Sequence, residues 1–256
     1  MGANTKIEWC DHTVNFWFGC TKTSPACDFC YAETWAKRSG IVRWGHGKAR
    51  RQSVSAVTAA LKLDKAAAAA GRRDTVFSNS LSDVFDHEVP AAFRDEMFAT
   101  IAVTPNLEWL LLTKRHALAR RYLPQVVMPN VRIGMTVESE EWARMRLPRL
   151  VRLALDGWKT FVSYEPALGP VDWWPWLDPE GLSGGCIQWI IAGGESGPRA
   201  RYTDAVWFRS TRDACRRAGV PFFQKQMTKK APIPGDLMVR EFPAALRHAQ
   251  PPPSGR

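Results

Sequence analysis

The 256-residue sequence has no apolar run that approaches the ~20 residues needed to cross a bilayer. Its first residues carry no apolar signal region, and Lys6 stands where an N-myristoylation pattern requires Ser or Thr. We therefore expect a cytoplasmic protein with no membrane partner.

Internal repeats and Gly/Ser-rich linkers are also missing. The one low-complexity feature is the alanine run 66–70, in a stretch with strong helix propensity, and the chain ends in a Pro-rich segment. The hydrophobic fraction of 45% is ordinary for a globular protein and excludes a largely disordered chain. We predict a single domain over residues 1–245 and a disordered tail over 246–256.

Acidic residues are in the minority, with 25 Asp and Glu against 35 Lys and Arg. The excess of positive charge lies in two segments, 36–75 and 199–256, each with a net charge of +8, and the remainder is mildly acidic. Such segments suit DNA or RNA as a partner. The alternative is a basic surface that serves only solubility. The sequence does not indicate an oligomeric state.

Cysteines are few, and three of the six lie within eleven residues. No secretion signal supports disulfides. The five histidines show no metal-ligand spacing. The three close cysteines, Cys20, Cys27 and Cys30, therefore indicate metal or redox chemistry.

Short apolar runs of β type alternate with helical stretches along the chain. Most of these runs are apolar without clean alternation, which is typical of parallel strands buried on both faces. Repeated β-then-α units predict an α/β fold: a full or partial (β/α) barrel of six to seven parallel strands. The predicted strands are 14–19, 75–79, 109–113, 131–136, 160–163, 189–192 and 220–224, and helices are predicted at 91–103, 140–156 and 204–218.

Polar residues follow every predicted strand. In a barrel the carboxyl ends of the strands converge on one face, where active sites lie. The alternative is that strand ends simply meet solvent. The catalytic candidates at this face are Lys114, Glu165, Glu195 and Lys225. Lys114 and Lys225, with Arg115, suit a carboxylate or phosphate, or an ordinary salt bridge with Glu165 or Glu195.

The cysteines have the spacing C-x6-C-x2-C, in a loop that follows the first predicted strand. Three thiolates from one loop suit a 4Fe–4S cluster with one iron left open for a small ligand. A structural zinc site wants four ligands, and here Cys10, His12 or His46 would have to complete it. The third possibility is three cysteines without a ligand.

Phe29 directly precedes the last cysteine, as an aromatic residue does in radical S-adenosylmethionine (SAM) enzymes. The chain resembles the phage-associated, radical-SAM-like family with a three-cysteine motif and an undefined function. Six residues, rather than the usual three, separate Cys20 from Cys27. Cys10 and Phe16-Trp17-Phe18 also depart from the family pattern. The motifs that carry the resemblance are Gly19 to Glu33, Asn79-Ser80-Leu81-Ser82-Asp83, Leu112-Thr113-Lys114-Arg115, Tyr164 to Pro170, Gly193-Gly194-Glu195-Ser196-Gly197 and Gly219 to Gln226.

The resemblance implies a radical-SAM-like barrel in which Cys20, Cys27 and Cys30 bind a 4Fe–4S cluster. It also implies SAM as the second cofactor and an external electron donor. Acceptors at the strand ends are then expected for the ammonium group and ribose of SAM. The candidates are Asn79, Ser80, Ser82, Asp83, Glu138, Gly193 and Gly194, with turn formation or helix capping as the alternative for each polar one.

The leading hypothesis is an iron–sulfur, SAM-dependent radical enzyme that acts on a nucleic acid or a nucleotide-derived substrate. One alternative is a non-enzymatic nucleic-acid-binding protein with a structural zinc or iron–sulfur site. A cluster-bearing redox sensor is another.

Overall fold

The computed structural model describes residues 5–249. Within these residues, nine strands and seven α-helices follow one another. The strands are β1 His12–Val14, β2 Trp17–Phe18, β3 Arg51–Gln52, β4 Asp74–Ser78, β5 Leu107–Thr113, β6 Val131–Thr136, β7 Lys159–Tyr164, β8 Ile190–Gly193 and β9 Phe222–Gln226. The helices are α1 Tyr31–Ser39, α2 Ala56–Ala69, α3 Ala91–Ala102, α4 His116–Tyr122, α5 Glu140–Leu155, α6 Trp174–Leu177 and α7 Ala205–Ala218. Short 3-10 turns lie at Pro25–Cys27, Thr228–Lys230, Gly235–Leu237 and Ala244–Ala249.

Seven strands form one parallel sheet in the order β1-β4-β5-β6-β7-β8-β9. The sheet curls into a half-barrel, and within residues 5–249 its edge strands β1 and β9 do not pair with each other. The predicted class, a partial (β/α) barrel of six to seven parallel strands, is confirmed. Because all seven strands run in the same direction, their carboxyl ends meet at one mouth.

The two faces of the sheet carry separate cores because successive side chains of a strand point to opposite faces. On β4, Val76 packs outward against the helices, whereas Phe77 packs inward with Trp9, Phe161 and Trp189. The inner core therefore fills the half-barrel below its mouth with aromatic rings.

Gly134 on β6 makes room for this inner core. A Cβ atom at this position would lie 2.2 Å from Cζ of Phe161, which is fully buried on the neighbouring strand. The ring of Phe161 therefore occupies the place of the missing side chain.

The first predicted strand, 14–19, is wrong in its bounds. β1 ends at Val14, and Trp17–Phe18 leaves the parallel sheet to pair antiparallel with Arg51–Gln52. The reason is local: the backbone N–H of Phe16 donates to the side-chain oxygen of Asn79 at 2.7 Å, and the Phe16 carbonyl accepts from Ser53. These bonds turn the chain away from the sheet edge.

The predicted tail, 246–256, lies partly within the described residues. Leu246 lies in the 3-10 turn Ala244–Ala249 and packs into the inner core with 3% of its surface exposed. Residues 250–256 lie outside the described part of the chain. Within residues 5–249, no helix has the length and apolarity that a membrane span requires.

We predict that Gly134→Ala destabilises the protein by about 1–3 kcal/mol, because the new methyl group overlaps the Phe161 ring. Chemical denaturation measures the change. Gly235→Ala is the matched control, since a Cβ there meets nothing within 4 Å. Adding Phe161→Leu to Gly134→Ala should cost less than the sum of the two single changes. A Gly134→Ala protein as stable as wild type would contradict this packing.

Candidate functional site

A cavity of about 330 Å³ opens at the carboxyl ends of the strands. Cys20, Cys27 and Cys30 lie in its wall, and Phe77 and Leu112 from the inner core are among its apolar lining. Ten of the predicted site residues line this cavity: Cys20, Cys27, Cys30, Asn79, Ser80, Ser82, Asp83, Lys114, Glu165 and Lys225. Four others do not line it: Glu138, Gly193, Gly194 and Glu195.

The cysteine loop runs from the end of β2 to the start of α1. Gly19 begins it with φ of +99°, and a Cβ there would lie 2.9 Å from Val42 Cγ2, so this position needs glycine. The 3-10 turn Pro25–Cys27 presents the second cysteine, and Cys30 is the residue directly before helix α1. The loop thus delivers three thiols to one cavity.

A buried charge network supports the first cysteine. Arg115 donates to the carbonyl of Thr21 at 3.0 Å, lies 3.9 Å from Cys20 Sγ, and pairs with Asp86 at 3.2 Å. Asp86 in turn pairs with the buried Arg50 at 2.7 Å. Burial raises the pKa of the Cys20 thiol to about 12, and Asp83 adds to the rise while Arg115 opposes it. A bound cation would offset that cost, because metal ligation requires the thiolate.

Four buried polar atoms of the cavity wall accept or donate no hydrogen bond in the described chain: Trp9 Nε1, Asn79 Nδ2, Thr136 Oγ1 and Glu165 Oε1. The last of these still has an ion-pair contact with Lys225, whereas the other three have no partner. The orientation of the Asn79 amide is set by its oxygen, which accepts from Phe16. Asn79 therefore offers the cavity a donor, whereas the ammonium group of SAM needs an acceptor. Buried polar groups normally have partners, so these atoms are available to a ligand or to water in the cavity.

Ser82 and Asp83 also make hydrogen bonds that hold local structure. Asp83 accepts from Thr113 Oγ1 at 2.7 Å and from the backbone N–H groups of Phe85 and Lys114 at 2.9 Å each. Ser82 donates to the carbonyl of Trp17 at 3.1 Å. Both residues line the cavity while fixing the segment after β4 against the neighbouring elements.

Glu165 and Lys225 face each other at the ends of β7 and β9. Lys225 Nζ lies 2.8 Å from Glu165 Oε1, and both side chains line the cavity. Gly193 contributes indirectly, since a Cβ there would lie 2.8 Å from the same carboxylate oxygen. Gly194 packs in the same manner against the backbone nitrogen of Thr228, at 2.7 Å.

Glu138 lies outside the cavity. Its side chain is buried with 1% exposure and pairs with Arg146 at 2.6 Å, within the layer between sheet and helix α5. The Glu138 carboxylate therefore makes a buried ion pair and does not line the cavity that the cysteines line.

Glu195 holds Arg201, a residue that the sequence analysis missed. Arg201 contacts Glu195 at 2.5 Å and reaches the cysteine loop, where it pairs with Asp28 at 3.2 Å and donates to the Pro25 carbonyl at 2.8 Å. Its guanidinium also lies 5.0 Å from the centre of the Phe29 ring. Arg201 therefore contacts both residues between Cys27 and Cys30, namely Asp28 and Phe29.

Ammonium groups dominate the charge at the cavity. Five lysines line it, against the carboxylates Asp83 and Glu165: Lys6, Lys22, Lys114, Lys225 and Lys230. Lys22 pairs with Glu33 and Lys225 with Glu165, while the other three have no carboxylate within ion-pair distance among residues 5–249. The half-buried Trp44 completes the mouth. The cavity therefore favours a ligand that is rich in acceptors or negatively charged.

The donor geometry does not match a closed zinc site. In the part of the chain that the structure describes, no three His, Cys, Asp or Glu side chains converge enough to hold a single metal ion. Tetrahedral zinc needs such convergence. In an iron–sulfur cluster each cysteine binds a different iron, so the three thiols need not converge on one point.

Comparisons with known proteins agree with this architecture. A family model described as a protein of unknown function (DUF5131) matches residues 4–243. No curated protein matches the chain. By fold, the chain is similar to a double mutant of spore photoproduct lyase with bound AdoMet and a dinucleoside spore photoproduct. That match has a TM-score of 0.50 and 13% identity, covering 82% of this chain and 73% of the other.

A single mutant of the same lyase gives a TM-score of 0.50 at 14% identity, covering 86% of this chain and 77% of the other. At such identity the likeness shows the fold alone: a radical-SAM-like half-barrel.

We predict that Arg201→Ala frees the cysteine loop, because it removes two ion pairs and the contact with Phe29. Partly exposed pairs contribute up to about 1 kcal/mol each, so alkylation of Cys27 and Cys30 in metal-free protein should accelerate about fivefold or more. Mass spectrometry of iodoacetamide-labelled peptides measures the rates. Arg209→Ala, which removes an exposed pair with Asp236, is the control. Equal rates in wild type and Arg201→Ala would refute the clamp.

Proposed function

The chain belongs to the DUF5131 family of unknown function, and we propose that it is a radical-SAM-type enzyme acting on a nucleic acid or nucleotide-derived substrate. The observation that carries this proposal is that Cys20, Cys27 and Cys30 all line one cavity at the carboxyl ends of a radical-SAM-like half-barrel. The phage association implied by the sequence motifs stays a prediction.

The residues present fit the implied cofactors. Three thiols from one loop leave one iron of a 4Fe–4S cluster open for a ligand such as SAM. When bound and reduced by an external electron donor, this cofactor pair supplies the 5′-deoxyadenosyl radical chemistry typical of radical-SAM enzymes. The unpartnered donors Asn79 Nδ2 and Thr136 Oγ1 provide positions for acceptor groups of the ligand.

The protein's own residues supply positioning and exclusion of water. Arg115 and Arg201 hold the cysteine loop from its two ends, and the aromatic inner core closes the cavity from below. Glu165 and Lys225, 2.8 Å apart in the wall, provide a carboxylate and an ammonium group that can accept or donate a proton at Oε1 and Nζ.

The charge of the cavity supports a phosphate-bearing substrate. Lys230 belongs to the basic segment 199–256 and Trp44 to the basic segment 36–75, and both line the cavity mouth. Segment 36–75 thus contributes an indole ring to the cavity lining, and segment 199–256 contributes lysines. Unpaired lysines beside an aromatic ring are typical of sites that hold a nucleic-acid strand. DNA or RNA is thus the partner that we propose for both segments.

We predict that Cys20→Ala, Cys27→Ala and Cys30→Ala each abolish an air-sensitive 4Fe–4S cluster, because each cysteine supplies one of only three protein ligands. Iron and sulfide analysis after anaerobic reconstitution, with the visible absorbance, measures the loss. Cys186→Ala is the control, since Cys186 does not line the cavity. Stoichiometric zinc without iron in anaerobic wild-type protein would refute the cluster and support the structural-zinc alternative.

We predict that reconstituted wild-type protein, given SAM and dithionite, forms 5′-deoxyadenosine, because a cluster held by Cys20, Cys27 and Cys30 would leave one iron open to SAM in the same cavity. Liquid chromatography with mass spectrometry measures the product. The three cysteine variants should give none. A wild-type protein that carries the cluster and yet forms no 5′-deoxyadenosine would contradict the enzyme and favour a redox sensor.

A further inference from the structure

Two consecutive lysines have left-handed backbone in the turn that follows β9. Lys229 has φ of 55° and Lys230 has φ of 59°, a backbone conformation that residues other than glycine rarely adopt. Strained residues of this kind persist only where their surroundings hold them, and they cluster at ligand sites. Here the Lys229 N–H donates to the Glu195 carbonyl at 2.8 Å, and Thr228 Oγ1 donates to the Arg201 carbonyl at 3.1 Å.

The turn separates two concave surfaces. Lys230 lines the cavity described above, whereas Lys229 lines a second, shallower groove of about 350 Å³. Tyr202, Thr203 and Met227 form much of this groove. Two consecutive lysines thus line two neighbouring concave surfaces.

Tyr202 dominates the second groove. The residue is 76% exposed, and neither its ring nor its hydroxyl has a partner among the residues that the structure describes. Lys229 likewise has no carboxylate within ion-pair distance in that part of the chain. An exposed aromatic ring beside an unpaired ammonium group suits a base and its phosphate.

We propose that this groove binds the nucleotide adjacent to the one in the cavity, with its base on the Tyr202 ring and the linking phosphate between Lys229 and Lys230. This inference rests on the proposed function and narrows it: the substrate is a single-stranded stretch of at least two nucleotides, not a mononucleotide. Stacking and phosphate contacts carry little sequence information, so the groove positions the strand without selecting a base.

Fluorescence anisotropy with a labelled short oligothymidylate tests the aromatic contact, with dTpdT and dTMP as unlabelled competitors. Wild type should prefer dTpdT over dTMP, and Tyr202→Ala should bind the oligothymidylate about tenfold more weakly and lose that preference. Tyr202→Phe should retain both, since the ring carries the contact. Unchanged binding by Tyr202→Ala would overturn the inference.

Lys229→Gly tests the lysine turn. Glycine relieves the left-handed backbone, so thermal stability should stay equal or rise, while the slope of binding against salt should fall by about one phosphate contact. Arg149→Ala removes one exposed charge from the outer helix α5 and should leave the slope unchanged. A Lys229→Gly protein with wild-type affinity and slope would mean that the turn has only a structural role.

The proposed enzyme function and the groove inference would be overturned by different results. Formation of 5′-deoxyadenosine by wild type without oligonucleotide tests the proposed function, and its absence would overturn that function. If it forms while wild type shows no preference for dTpdT over dTMP, only the groove inference is overturned.

Discussion

The hydrogen bond from the Phe16 N–H to the Asn79 side-chain oxygen, at 2.7 Å, decides how the mouth of this half-barrel is built. Asn79 has φ of 57°, and its own N–H donates to the Val14 carbonyl at 2.8 Å, so it seals the end of β1 from both sides. The chain must leave the sheet after Val14, and the loop that follows carries the three cysteines across the strand ends. The Nδ2 atom of the same amide has no partner in the cavity wall. Asn79 therefore both ends strand β1 and offers a hydrogen-bond donor to the cavity.

Charge is arranged in two layers around that loop. Below it, Asp86 forms buried ion pairs with both Arg115 and Arg50. These pairs balance positive charge with negative charge and keep the Cys20 end of the loop fixed. Above it, lysines without carboxylate partners line the mouth, and this imbalance favours an acidic ligand.

The sequence predicted the fold well because apolar runs without alternation identify parallel strands, and polar residues after each run mark the mouth. It also placed ten candidate residues in the cavity, since position after a strand is enough to bring them to one edge. It could not separate Asp83, Glu138 and Glu195 by role. Glu138 differs because it forms an ion pair with Arg146 in the helix that follows it. Glu195 differs because it forms an ion pair with Arg201. Arg201 and Asp28 are 173 residues apart in sequence, and no local sequence pattern predicts a contact at that separation. The bounds of the first strand failed for the same reason, since a distant side chain, Asn79, ends it.

Anomalous diffraction from anaerobically grown crystals tests the central claim most directly, because it locates a metal and identifies its element at once. The account predicts a strong peak at the iron edge inside the cavity, bounded by the sulfurs of Cys20, Cys27 and Cys30. A peak at the zinc edge instead, or an iron peak bound elsewhere in the chain, would contradict it.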